Sequence, residues 1–186
     1  ANNTAVGYTT LALNTTGIGN SAFGVNALQT NTTGGGNSAF GSYHAGSSNA
    51  ALNSNTTGNS NSAFGGGSLS ANTTASNNSG FGYRSLATTT TGANNTAVGS
   101  SALYANTTGT GNSALGTFAL DKTTTGSFNT AFGYAALTQQ TATGSVYNTA
   151  MGYNAGAAVT TGIENTLIGG LAGDALTTGE YNIALG

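Results

Sequence analysis

Apolar residues in this chain follow neither the three-to-four-residue spacing of an amphipathic helix nor a long strict alternation. They fall in short clusters that return at a fixed, longer interval. Each cluster is a phrase of five residues: Asn, then usually Ser or Thr, then a small residue that is nearly always Ala, then a bulky apolar residue, then Gly. The phrase opens at Asn3, Asn20, Asn37, Asn61, Asn78, Asn95, Asn112, Asn129, Asn148, Asn165 and Asn182. Eight of the ten intervals are seventeen residues, and the other two are twenty-four and nineteen. The bulky column reads Val6, Phe23, Phe40, Phe64, Phe81, Val98, Leu115, Phe132, Met151, Ile168 and Leu185. A glycine closes every copy, at Gly7, Gly24, Gly41, Gly65, Gly82, Gly99, Gly116, Gly133, Gly152, Gly169 and Gly186. A second apolar column follows at Leu11, Leu28, Leu69, Leu86, Leu103, Leu120 and Leu137, with Leu52 in that place in the long copy. Then comes a Thr-Thr-Gly corner, as in Thr15-Thr16-Gly17 and Thr177-Thr178-Gly179, whose glycine is once replaced by Ala75.

Seventeen residues are too few for a helix pair, which takes about 33, and the Gly-, Asn- and Thr-rich phrase is poor in helix formers. Two short extended segments joined by two glycine corners fit the period, glycine supplying the positive-φ turn that other residues resist. The expected fold is therefore all-β: a parallel β-solenoid, or β-roll, with about 17 residues per coil and about eleven coils. Residues 1–186 read as one array without caps, with a loop insertion at 42–50. Stacking coils at about 4.8 Å sets each column above its twin and makes a rod roughly 50 Å long. The Asn column then becomes an amide ladder that satisfies buried polar groups. The bulky and Leu columns are expected to form two inner ridges. Neighbouring strand residues point to opposite faces, so the Ala column is expected on the other face, where its small side chains would let a second chain approach.

Composition narrows the function classes. Six side chains carry a formal charge, and Arg84 and Lys122 are the only permanent cations, so nothing here neutralises a run of phosphates and nucleic acid is not an expected partner. Leu, Ile, Val and Phe make up about 16% of the chain, low enough to suggest disorder, but disorder of the usual kind brings high net charge and no pattern. Cysteine is absent, which rules out disulfides and thiolate metal sites. Proline is absent too, as expected where most backbone N–H groups are needed by a neighbouring coil. No run of eighteen apolar residues suggests membrane insertion. No basic-then-apolar segment opens the sequence, so a signal peptide is expected to have been removed or never included. Two large apolar side chains per coil contribute about 1.5–3 kcal/mol each, whereas fixing seventeen backbones costs roughly 17–34 kcal/mol. So thin a core points to copies of the chain itself as partners. Without capping repeats, the array reads either as cut from a longer fibre or as stacking head to tail into a filament.

Candidate chemistry is sparse. His44 is the one histidine, with no acid near it in sequence, and Asp121, Glu164, Asp174 and Glu180 stand singly. That leaves a catalytic triad or a carboxylate pair without support, and no enzyme activity, metal or cofactor is expected. Gly169-Gly170-Leu171-Ala172-Gly173-Asp174 is one imperfect copy of a calcium β-roll phrase that would have to recur every turn. Two features read as binding candidates. The insertion should project from the rod and carries Tyr43 and His44 as a possible contact loop. Tyr8, Tyr83, Tyr134 and Tyr153 share one column after the glycine, suited to stacking on cell-surface glycans or on an adjacent chain. A rival reading from another class is ice binding (an antifreeze role), with Asn14/Thr16, Asn31/Thr33, Asn72/Thr74 and Asn106/Thr108 forming a flat uncharged ladder face. The Asn-Thr-Thr triplets are also glycosylation acceptors in a eukaryotic secretory pathway.

The phrases Asn3-Thr-Ala-Val-Gly-Tyr8, Asn95-Thr-Ala-Val-Gly99 and Asn129-Thr-Ala-Phe-Gly-Tyr134, followed by Ala-Leu and Thr-Thr-Gly, resemble the shaft repeats of bacteriophage tail fibres and related surface proteins. More distantly the chain is similar to the head repeats of trimeric autotransporter adhesins. The resemblance covers the whole chain and implies a left-handed parallel β-roll, usually three chains round one axis, located outside the cell, on its surface or on a virion. The function it implies is that of a structural rod for adhesion or receptor reach. The period is longer than the adhesin one, and that phrase's second apolar residue is missing.

Overall fold

The structure, a computed structural model, describes residues 2–42 and 49–186. Among these no helix occurs, and the chain winds as a parallel β-solenoid of about ten turns. Each coil contributes one three-residue strand: β1 (Thr4–Val6), β2 (Ser21–Phe23), β3 (Ser38–Phe40), β4 (Ser62–Phe64), β5 (Ser79–Phe81), β6 (Thr96–Val98), β7 (Ser113–Leu115), β9 (Thr130–Phe132), β11 (Thr149–Met151), β12 (Thr166–Ile168) and β13 (Ile183–Leu185). These eleven strands form a single sheet in that order, every pair parallel and in register, so that Ala22 lies beside Ala39 and Phe64 beside Phe81. The second extended segment expected in each coil is instead a run of turns. Among the described residues one further strand pair occurs, β8 (Gly126–Ser127) with β10 (Gly144–Ser145), at the corner glycines and not in the run of turns.

The amide ladder is present and continuous. In each of the ten steps the Oδ1 of one ladder asparagine accepts the backbone N–H of the next, at 2.8–3.2 Å. The amide nitrogen turns across the coil to a corner carbonyl, as from Asn20 to Gly34 (2.8 Å) and Asn95 to Gly109 (2.9 Å). Asn20 through Asn165 are fully buried. Both irregular intervals keep the contact, Asn61 N–H to Asn37 Oδ1 at 2.9 Å and Asn148 N–H to Asn129 Oδ1 at 3.2 Å.

The inside of the coil differs from the sequence expectation. With the ladder asparagine pointing inward, pleat alternation turns the residue two places on inward as well. The Ala column is therefore core, with Ala22, Ala39, Ala63, Ala97 and Ala150 fully buried. The bulky column points out: Phe132 is 48% exposed and Leu115 44%. The sheet thus presents its large apolar residues to the outside, and the Ala column is not a face open to another chain. The Leu column is inner as expected, Leu28 through Leu137 packing against the Ala column at zero exposure. Each such burial stabilises by about 1.5–3 kcal/mol.

Those leucines sit in the left-handed region, φ 50° at Leu28 and 51° at Leu103, a conformation costly for a branched side chain and held here by the packing. In the last two full coils the same backbone place is taken by Gly156 and Gly173, φ 60° and 66°. The missing volume comes from the sheet side, where Leu167 replaces Ala; a Cβ on Gly156 would lie 2.6 Å from its Cδ1, and one on Gly173 2.8 Å from its Cδ2. In most copies the glycine closing the phrase is required twice over. Gly116, for example, has φ +139°, and a Cβ there would sit 2.3 Å from the Gly133 carbonyl oxygen of the next coil.

Candidate functional site

The outer face of the sheet is the feature most suited to contact. Because strands pair in register, the bulky column forms one ridge along the rod. At Phe23, Phe40, Phe64 and Phe81 the rings stack at 4.7, 4.7 and 5.0 Å and within 12° of parallel. Val98 and Leu115 then interrupt the aromatic run before Phe132, leaving a shallow apolar depression edged by Thr96, Ser113 and Thr130. A contiguous exposed apolar strip of this kind marks an interaction surface.

Two aromatic columns flank the ridge. On one side is the predicted tyrosine column, in which Tyr134 and Tyr153 stack on each other at 5.6 Å and Phe118 meets Tyr134 edge-on at 6.0 Å. Tyr8 and Tyr153 are the most exposed of this column, at 76% and 58%. On the other side, immediately before the ladder asparagine, stand Phe128 and Tyr147, stacked at 5.2 Å, and farther on Tyr181. Sequence reading missed this second flank; its signal is a position held by Gly, Ser or Asn from Asn2 to Gly111 and by Phe128, Tyr147 and Tyr181 in three of the last four copies. Arg84 lies 4.6 Å over the Tyr104 ring and donates to its hydroxyl at 2.6 Å.

The Asn/Thr face is half as predicted. Asn31, Asn72 and Asn106 are fully buried, and they form a second inner ladder: Asn31 donates to Asn14 Oδ1 at 2.8 Å and Asn72 to Asn55 Oδ1 at 2.7 Å. It falters after Asn72, where Thr89 follows, and the Oδ1 atoms of Asn72 and Asn106 stay buried without a partner. The threonines do face out, Thr16, Thr33, Thr74 and Thr108 all being exposed. The first threonine of most pairs spends its hydroxyl along the stack, as from Thr15 to the Thr32 carbonyl at 2.9 Å. An asparagine pointing inward leaves the Asn-Thr-Thr acceptors of Asn31, Asn72 and Asn106 inaccessible in the folded chain.

Tyr43 and His44, the possible contact loop, lie outside the described residues. Among the described residues no group of three or more His, Cys, Asp or Glu is placed to hold a metal ion, and no helix is long and apolar enough to cross a membrane. Asp121 is half-buried, and loss of hydration raises its pKa above the ordinary value of 3.8, with neighbouring Lys122 partly offsetting this. No family model, curated protein or solved structure matches the chain.

Proposed function

We propose that this chain is a non-catalytic structural rod, a subunit of an extracellular fibre that serves adhesion or receptor reach and associates with its own copies. The observation that supports this reading best is the outward ridge of eleven apolar residues running along the whole sheet. A rod exposing so much apolar surface gains by covering it. The continuous asparagine ladder beneath ties each coil to the next. Sedimentation equilibrium over a range of concentrations tests the reading. A mass that is a multiple of 18.0 kDa is expected, and a monomer at every concentration would sink it.

One observation favours a second reading, ice binding. Thr16, Thr33, Thr57, Thr74, Thr91 and Thr108 are exposed and repeat at coil spacing on an uncharged face. Thermal hysteresis of a millimolar solution distinguishes the two: freezing-point depression abolished by Thr74→Lys supports ice binding, and its absence removes it.

A further inference from the structure

We infer that the ridge is covered by a second copy of this chain lying antiparallel to the first, related by a twofold axis that passes beside Val98 and runs along the strand direction. This rests on the self-association proposed above and adds the orientation. The argument is one of shape. The outer face is not uniform along its length: the coils of Phe40 and Phe64 have small residues at their sides (Gly36, Ser42, Ser60 and Gly66), whereas those of Phe132 and Met151 have aromatic sides (Phe128, Tyr134, Tyr147 and Tyr153).

A twofold along the strand direction reverses the rod but keeps each side of the strand over the same side of its partner. On the ridge it sets Phe40 opposite Met151, Phe23 opposite Ile168 and Phe81 opposite Leu115. On the flank before the ladder asparagine it lays Tyr147 over Gly36 and Phe128 over Ser60. On the flank after the glycine it lays Tyr134 over Gly66 and Tyr153 over Ser42. Phe64 falls opposite Phe132 on the ridge, but on both flanks of these coils large meets small, which spreads the bulk more evenly along the contact than a parallel pair would. A parallel pair does the reverse. Turning one copy about the rod axis brings the two flanks of the same coil together, Phe128 on Tyr134 and Tyr147 on Tyr153. Late coils are then propped apart while Gly36 faces Ser42 across a gap. From Phe23 to Phe81 successive ridge rings stay within 12° of parallel, so this stretch offers a regular surface to a partner.

The area is sufficient. Eleven rungs at about 4.8 Å, by five residues at about 3.3 Å, give a footprint of roughly 800 Å², which is about what each partner of a standard stable interface contributes. No charge opposes its twin, since Glu164 falls over Gly19.

The chain has no cysteine, so single thiols can be placed at will. Ser38→Cys and Thr149→Cys, each on the outer face, would be co-expressed with different affinity tags and treated with a bismaleimide of about 10 Å reach, the spacing of packed sheets. The expected result is a mixed Ser38→Cys/Thr149→Cys product exceeding either same-variant product several-fold, with a sedimentation mass twice 18.0 kDa. Predominant same-variant products, or a threefold mass, would overturn the antiparallel arrangement while leaving self-association standing. A monomer throughout would overturn both.

Discussion

At the scale of single residues, the asparagine column carries the most consequence. Asn95 Oδ1 takes the Asn112 N–H at 2.9 Å, and its amide reaches the Gly109 carbonyl at 2.9 Å. Asn95→Ala leaves the buried Asn112 N–H unpaired, while the Gly109 carbonyl keeps the Asn106 amide at 3.2 Å, so a loss of about 1–3 kcal/mol is expected in urea unfolding. Asp121 gives a pH effect of defined sign. Its folded pKa is raised by burial, so the folded state holds the proton more tightly than the unfolded one, and this contribution is present below the unfolded value and lost as pH rises through the folded one. Asp121→Asn should therefore gain melting temperature relative to the parent at about pH 7 and show little gain at about pH 3. The importance of both columns was legible in the sequence, because asparagine and glycine recur without exception. The facing of the strand was misjudged for a physical reason: Phe23 looks like core and Ala22 does not. Yet a buried Asn20 already required Ala22 inside, since the two share a pleat face.

At the scale of one coil, the fold is a thin sandwich of an Ala column against a Leu column, and volume is conserved across it. The sequence announced this wherever Leu stands eight residues after Asn, but concealed it in the last two full coils, where Leu167 does the filling from the opposite wall and two glycines make room. Leu167→Ala is expected to cost about 2–5 kcal/mol by opening a cavity. Leu167→Ala combined with Gly173→Leu, which restores the arrangement of the earlier coils, should recover a large part of that loss in the same unfolding measurement. If the double variant were no more stable than the single one, the two walls would not be exchanging volume. The turns after the glycine were beyond reach of propensity, because nothing local favours leucine at φ near 50°; the strain is outweighed by burial and hydrogen bonding to the adjacent coil, a tertiary effect.

At the scale of the whole molecule, stability is shared between neighbours along one axis, and charge plays almost no part in it. With six charged side chains, melting temperature and oligomer mass should hardly change between about 0.05 and 0.5 M NaCl; a marked salt dependence would mean that ion pairs, not the apolar ridge, join the copies. The period made the architecture readable from sequence, whereas the outward ridge became visible only once the strands had been oriented. The two odd coils have a consequence of their own. Seven extra residues in one coil and two in another are absorbed before the next asparagine arrives, and the strand that follows pairs in register as though nothing had been added. Each asparagine resets the count, so a length error in one turn is not inherited by the next. A chain built this way can gain or lose residues between ladder positions, and even whole turns, and still grow as the same screw.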